Sequence, residues 1–222
     1  MNRRTASTVA RLTAITILVM ASGILASCAG LGRNPNVVGT YSDKLSTYNY
    51  REEGDLVLMV VGVEGARLIR DEPYFPLFVL VANKTKETFS VTREAFTLED
   101  PLGHQYAMAP PRDVAEKYHR LDLDRRMFRQ NASITGTYVG LFTRIESDFF
   151  PSSARKALQI NAVTLPPRTV MQDVLYYPIP ESGLNGIPLH LFFNVKELSE
   201  PVSVVFEVPR TLGVFEKEDD VP

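Results

Sequence analysis

The sequence has very few of the residues that build covalent or metal-centred structure. Its 222 residues include one cysteine, no tryptophan and three histidines. One thiol cannot form a disulfide within the chain, and a core of two cysteines around a tryptophan, as in antibody domains, is excluded. Isolated histidines without a second thiol do not provide the ligand spacing of a zinc site. We therefore expect a domain held by its apolar core, without metal or cofactor.

The chain also has no large excess of positive or negative charge. The chain has 24 basic and 26 acidic residues, a net charge of −2. Three of the basic residues and none of the acidic ones lie in the first 27 positions, so the remainder is more negative than the whole. Neither a basic stripe nor a polybasic segment is present, and we expect no nucleic-acid partner.

The first 27 residues have the order of a secretory signal. Arg3, Arg4 and Arg11 give a positive start, an apolar run from Leu12 to Ile24 follows, and small residues end the segment. The run is shorter than the roughly 20 residues that a helix needs to cross a bilayer. We therefore predict a signal peptide over residues 1–27.

The single cysteine lies at the end of this segment, in Leu25-Ala26-Ser27-Cys28. This stretch resembles the bacterial lipobox. The resemblance implies that the Cys28 thiol carries diacylglycerol and that the new amino terminus is acylated, as by palmitate. Several buried acyl chains hold a protein firmly on a membrane. Ala29, in place of an aspartate, implies sorting to the outer membrane, so we expect a lipid-anchored protein of the bacterial envelope. The sequence leaves open whether it faces the periplasm or the outer side of that membrane.

Residues 28–55 are predicted to form a tether. Glycine, proline and asparagine are frequent in the first half of this stretch, and no apolar period is present. Fully extended at about 3.3 Å per residue, it would reach roughly 80–90 Å. Tyr41, Tyr48 and Tyr50 are unusual in a linker, which leaves open that part of the stretch belongs to the domain.

Strand patterns begin at Leu56. The runs Leu56–Val63 and Phe75–Ala82 are continuously apolar, which predicts strands buried on both faces. The segments that begin at Phe89 and Phe96 alternate apolar and polar residues, as half-buried strands do. Asp100-Pro101-Leu102-Gly103 has the residue preferences of a type I turn and predicts a hairpin.

The C-terminal third has the same pattern of short apolar segments separated by turns. Strands are expected in Val170–Tyr176, Leu189–Val195 and Val202–Val208. Seven or eight short strands separated by proline and glycine turns predict a mainly β fold, an antiparallel β-sandwich over residues 56–209. Residues 210–222 are predicted to be an acidic, solvated tail.

A partly helical insertion interrupts the strand order at about 110–160. Asp113 and Glu116 have the spacing of a capping box behind two prolines. The apolar face of this helix would comprise Val114, Tyr118 and Leu121. A second short helix is expected to begin at Pro151. Connections of this length are often functional, and the alternative is a helix that only plugs one end of the sandwich. The sequence leaves both open.

A family resemblance rests on "FPLFVLVANKTKETFSVTREAFTLEDPLGHQY" and the later "PPRTVMQDVLYYPIP". These stretches resemble the accessory-lipoprotein domain with a telokin-like, immunoglobulin-like fold, over roughly residues 56–107 and 163–208. The insertion is a departure from that family. The resemblance implies the sandwich fold and brings no catalytic residues with it.

Catalytic motifs are weak in this chain. Ser153-Ala154-Arg155-Lys156 matches the Ser-x-x-Lys motif of penicillin-binding enzymes, but the companion Ser-Asp-Asn and Lys-Thr-Gly motifs are missing. No nucleophile elbow or phosphate-cradling glycine loop is present. We therefore expect a protein that is not an enzyme.

The leading hypothesis is a non-enzymatic envelope lipoprotein whose sandwich presents the insertion to another envelope protein. Aromatic residues and arginine supply most interface hot spots, and they select the candidate contacts. These candidates are Tyr118, Arg125, Arg126, Phe128, Phe149 and Phe150. The same aromatics could instead fill the core. The alternative function is an envelope enzyme or small-ligand binder with a site between the insertion and the sandwich.

Overall fold

Two large β-sheets, a two-stranded β-ladder and a helical layer make up the domain in the computed structural model, which describes residues 41–147, 149 and 161–210. The N-terminal strands are β1 (Asp43–Ser46), β2 (Asn49–Glu53), β3 (Val57–Gly62), β4 (Tyr74–Asn83), β5 (Phe89–Thr92), β6 (Phe96–Glu99) and β7 (Gln105–Ala107). Helices α1 (Pro111–Lys117) and α2 (Leu121–Gly136) follow. The remaining strands are β8 (Thr143–Ile145), β9 (Ala162–Leu165), β10 (Thr169–Pro178), β11 (Pro188–Phe193) and β12 (Val202–Glu207).

The first sheet has the strand order β1-β2-β3-β4-β10-β8, and the second has the order β12-β11-β6-β7. Strands β5 and β9 form a separate two-stranded ladder. All named pairs are antiparallel except β8, which lies parallel to β10. The predicted fold class is confirmed: the protein is a mainly β sandwich with a partly helical insertion.

The central strands β3, β4 and β10 of the first sheet are buried on both faces, as the continuous apolar runs of β3 and β4 predicted. Its inner face, represented by Val61 and Leu175, shares one core cluster with Leu191 and Phe206 of the second sheet. Its outer face, represented by Val60 and Leu80, packs with Val139 from the insertion. A strand between two layers exposes neither set of alternating side chains to water, so both sets are apolar.

The predicted turn between β6 and β7 is confirmed. The Gly103 amide donates to the Asp100 carbonyl at 3.0 Å. The Asp100 Oδ1 atom accepts the amides of Leu102 at 2.9 Å and His104 at 3.0 Å. Asp100 therefore closes the turn with its side chain as well as its backbone.

The tether prediction is wrong for its last part, because β1 and β2 belong to the first sheet. Asn49 pairs with Gly62 and Glu53 pairs with Leu58. Tyr50 is fully buried, with its ring centre 6.3 Å from that of Phe206. The domain thus includes residues before position 56, and the tyrosines noted in the sequence mark them.

The helix predictions need two corrections. Helix α1 begins at Pro111, one residue after Pro110, and no side chain caps it, so Asp113 lies inside its first turn and forms no capping box. The chain becomes extended at Tyr118 and then enters the 16-residue helix α2, which was not predicted from the sequence. The helix expected at Pro151 lies outside the described residues.

Candidate functional site

The insertion lies on the outer face of the first sheet. The ring of Phe128 of α2 packs against that of Phe78 of β4 at a tilt of 56°, with the ring centres 5.8 Å apart. After α2, a 3-10 turn over Thr137–Val139 brings Val139 onto the outer cluster. Strand β8 then joins the sheet edge beside β10. The insertion is therefore an outer layer of the domain.

Polar side chains cross this outer interface, and we call them the polar seam: Asn49, Asn131, Thr135, Arg144 and Gln172. The Asn131 Nδ2 atom donates to the Asn49 Oδ1 atom at 2.9 Å. The Gln172 Nε2 atom donates to the Thr135 hydroxyl at 3.2 Å, and the Arg144 guanidinium donates to the Gln172 Oε1 atom. Buried amides that are paired in this way fix the position of the helix over the sheet.

A small cavity lies beside the seam. It has a volume of ≈ 10 Å³ and is lined by residues that include Phe78, Phe128, Asn131 and Gln172. This volume is close to the minimum for one water molecule, and its lining has polar partners for one. It is too small for an organic ligand.

A buried carboxylate lies at the start of α2. Asp124 is fully buried, and its Oδ2 atom accepts the hydroxyls of Tyr118 at 2.5 Å and Tyr176 at 3.2 Å. The two tyrosine rings meet edge to face, with their centres 5.1 Å apart. The three residues come from the segment after α1, from α2 and from β10, so this Asp-Tyr-Tyr cluster joins both insertion helices to the sheet.

Burial changes the acid–base behaviour of the cluster. Desolvation raises the pKa of Asp124 to about 6, although the hydrogen bonds from Tyr118 and Tyr176 and the nearby Arg120 act in the opposite direction. Desolvation and the Asp124 charge raise the pKa of both tyrosines above the ordinary value. Both tyrosines are therefore hydrogen-bond donors at every physiological pH. Asp124 is the group of the cluster that titrates near neutrality.

The chemistry open to this cluster is proton binding. The Asp124 Oδ1 atom has no hydrogen-bond partner among the described residues, so it is the oxygen that can take the proton. A substrate would reach the carboxylate only if α2 moved away from the sheet. The cluster therefore acts as a connection between the layers, whose strength depends on pH.

Two of the predicted contact residues are part of the core. Tyr118 is 4% exposed and donates to Asp124. Phe149 is fully buried, and its ring lies edge to face with Phe96 of the second sheet, 6.4 Å between centres. The contact prediction is wrong for these two side chains in this structure, because neither has a surface to offer a partner.

The other predicted residues have different environments. Phe128 is half-buried in the outer interface, Arg125 is half-buried, and Arg126 is exposed. A contact role for Arg126 stays a prediction. Cys28 and Phe150 lie outside the described residues.

The polar residues that hold α2 were not predicted from the sequence. Asp124, Phe128, Asn131 and Thr135 recur every three or four positions, which is the period of one helix face. That period was the available signal. Three of these four residues are polar, whereas the core-facing stripe of a helix is normally apolar, so the helix face was not recognised.

The exposed side of the insertion mixes charge and apolar surface. Arg126 and Arg129 are exposed on α2. Beyond its end, Tyr138 is 50% exposed and Leu141 is 94% exposed. We call the segment 138–142 the tip. A leucine almost wholly in water is a recognisable feature of interaction surfaces when other apolar residues adjoin it.

Within 41–147, 149 and 161–210, no three His, Cys, Asp or Glu residues are grouped to hold a metal ion. In the part of the chain that the structure describes, no helix has the length and apolar character to cross a bilayer.

Comparison with known proteins gives one structural likeness. No protein-family model matches the chain, and no curated protein matches it. The candidate lipoprotein ycdA of Bacillus subtilis, known from a crystal structure, is similar with a TM-score of 0.37 and 11% sequence identity. The likeness covers 71% of this chain, which spans 38% of the length of that protein. A TM-score of this size does not establish a common fold, and no function follows from it.

Proposed function

We propose that this chain is a non-enzymatic lipoprotein of the bacterial envelope, anchored through Cys28 and contacting another envelope protein through its insertion. The lipobox-like end of the signal supports the anchor, and Ala29 supports the outer membrane as its destination. The accessory role implied by the telokin-like resemblance is part of the same proposal.

The observation that carries the contact proposal is the two-sided character of the insertion. Its inner side is occupied by the sheet through Phe128, Asn131 and Val139. Its outer side exposes Arg126 and, at the tip, Leu141 at 94%. A partner that places carboxylates along α2 and apolar side chains at the tip would match this surface, because arginine pairs with carboxylates and leucine gains from leaving water.

The alternative is an enzyme or ligand binder with a site between the insertion and the sandwich. The space found there is the cavity of ≈ 10 Å³, and the nearby Asp124 is covered by α2. Ligand pockets commonly have about 300–1,000 Å³. This difference favours the contact role.

The anchor is tested with Cys28→Ser in the native host. We expect loss of labelling by a clickable fatty acid and loss of the size shift on signal removal. Normal labelling of the variant would refute the anchor while leaving the contact proposal open.

The contact is tested by placing a photo-crosslinking amino acid at Leu141. A matched probe at Leu102 provides the control, since Leu102 is 68% exposed in the β6–β7 turn, outside the insertion. We expect one discrete cross-linked protein from position 141 and none from position 102. Equal products from both positions, or none from 141, would contradict the proposal.

A further inference from the structure

A groove lined by arginines lies at the end of the domain where β3 ends. Three separate segments form it: the loop after β3, the loop between β10 and β11, and the residues after β12. The groove has a volume of ≈ 590 Å³ and is open to solvent. Its lining includes Arg67, Ile69, Arg70, Leu184, Asn185 and Arg210.

The segments of the groove are tied together by backbone contacts. Asn185 forms an isolated parallel bridge with Val208, and the Gly186 amide donates to the Val208 carbonyl at 2.8 Å. On the opposite side, the Arg67 guanidinium lies over the Tyr48 ring, 4.5 Å from its centre. A stacked guanidinium is held in orientation, so less entropy is lost when it binds a ligand.

Arg210 depends on a glycine for its position. A Cβ atom on Gly186 would lie 3.2 Å from the Arg210 Nε atom, and Gly186 has φ +72°. Any other residue would be strained there and would crowd the arginine. Glycine at this position therefore lets the third guanidinium lie against the loop.

The charges of the groove are all of one sign. Three arginines line it, and no aspartate or glutamate is among the described residues of its lining. This positive lining contrasts with the net charge of −2 of the whole chain, so an anionic ligand matches the groove.

We propose that this groove binds a phosphate group carried by a molecule with an apolar portion. Guanidinium groups bind phosphate through paired N–H donors, and the three or four oxygens of a phosphate can engage three of them, whereas a carboxylate offers two oxygens. Ile69 and Leu184 in the lining match the apolar portion. The phosphate can come from a lipid headgroup or from a soluble phosphate ester.

Calorimetric titration of the full chain in a nonionic detergent tests the inference. The probes are phenyl phosphate, a soluble ester, and dihexanoyl phosphatidic acid, a lipid headgroup on short chains. Benzoate is the carboxylate counterpart of phenyl phosphate. We expect both phosphates to bind more tightly than benzoate, and the tighter of the two identifies the source. The result does not depend on acylation of Cys28.

Arg70→Ala and Arg210→Ala should each weaken phosphate binding by about tenfold, because each removes charged hydrogen bonds. Arg70→Lys keeps the charge but loses the paired donors, so its affinity for phosphate should lie between those of the parent protein and Arg70→Ala. Arg168→Ala is the control, since Arg168 is exposed at the opposite end of the first sheet, where its amide donates to the Asn83 carbonyl. Equal binding of benzoate, no binding of either phosphate, or equal weakening by Arg168→Ala would overturn the inference.

Discussion

The two faces of the first sheet are buried in different ways. On the inner face, aromatic rings fill the space between the sheets: Tyr50 of the first sheet lies 6.3 Å from Phe206 of the second, and Phe193 lies 5.2 Å from Phe96, its partner within the second sheet, between ring centres. On the outer face, α2 is held by the Asn131–Asn49 pair and by Asp124 as well as by apolar contacts. The inner interface is mainly apolar, and the outer one contains a polar seam.

The two interfaces therefore differ in what they contribute: one mainly stabilises the fold, and the other mainly positions the insertion. Apolar burial contributes free energy roughly in proportion to area and tolerates small shifts. A buried hydrogen bond contributes only about 0.5–1.5 kcal/mol net, yet a displaced helix leaves its donors and acceptors unpaired at about 1–3 kcal/mol each. We therefore expect the inner face to supply most of the folding free energy and the outer face to fix where the insertion lies.

The largest expected effect follows from breaking the inner face. Phe193→Ala should cost about 3–5 kcal/mol of unfolding free energy, because it leaves a cavity among fully buried rings. Denaturant unfolding of the full chain measures the loss. Phe128→Ala is the counterpart on the outer face, where the ring is half-buried, and should cost about 1–2 kcal/mol. Equal losses would show that the two faces contribute alike.

The next effect is a pH dependence specific to the outer face. Burial raises the pKa of Asp124 from 3.8 to about 6, so the folded state binds this proton more tightly than the unfolded chain. Stability from this group is therefore fully present below about pH 4 and is lost as the pH rises through about 6. At 1.36 kcal/mol per pKa unit, the loss is on the order of 3 kcal/mol.

Asp124→Asn isolates that contribution. The amide is neutral at all pH values and its oxygen can still accept from Tyr118 or Tyr176. Arg120 and Glu72, the other charges that act on Asp124, are unchanged in the variant. The stability difference between the variant and the parent should therefore grow between pH 4 and 7 in favour of the variant. A constant difference would mean that Asp124 is ionised normally in the fold.

A smaller effect is expected where the seam meets the sheet. A Cβ atom on Gly62 would lie 2.7 Å from the Asn49 Oδ1 atom, 3.1 Å from the Asn131 Nδ2 atom and 3.2 Å from the Phe78 Cβ atom. Gly62→Ala should therefore cost about 1–3 kcal/mol by overpacking. Gly140→Ala is the matched control, because nothing lies within 4 Å of its Cβ position. Unchanged melting of Gly62→Ala would show that the helix is not closely seated.

The two faces of the first sheet also differ in how far the sequence could predict them. The sheets were predictable because strand patterns are local: Phe89 and Val91 alternate with exposed Ser90, and Asp100 begins its turn with the expected residues. Apolar alternation and turn chemistry depend only on near neighbours.

The polar seam was not predictable in the same way. Asn131 bonds Asn49, which is 82 positions away, and Thr135 bonds Gln172 across 37 positions. Read singly, each of these residues is typical of a solvated position, and Tyr118 resembles a surface hot spot until Asp124 is known to lie beside its hydroxyl. Such pairings exist only after the sheet has placed β2 and β10 under α2.

The smallest effect on stability is expected on the exposed side of α2. Arg126 is exposed, in contrast to Asp124 two positions before it, which is fully buried. Arg126→Ala should therefore change the unfolding free energy by less than about 0.5 kcal/mol. If the exposed side carries the proposed contact, the same substitution should reduce the partner cross-linked from position 141, because an arginine at an interface is often a hot spot. Melting and cross-linking measured on equal amounts of protein separate the two effects. A lowered melting temperature with undiminished cross-linking would place Arg126 with the residues that hold the insertion, and the outer side of α2 would then have the same role as its inner side.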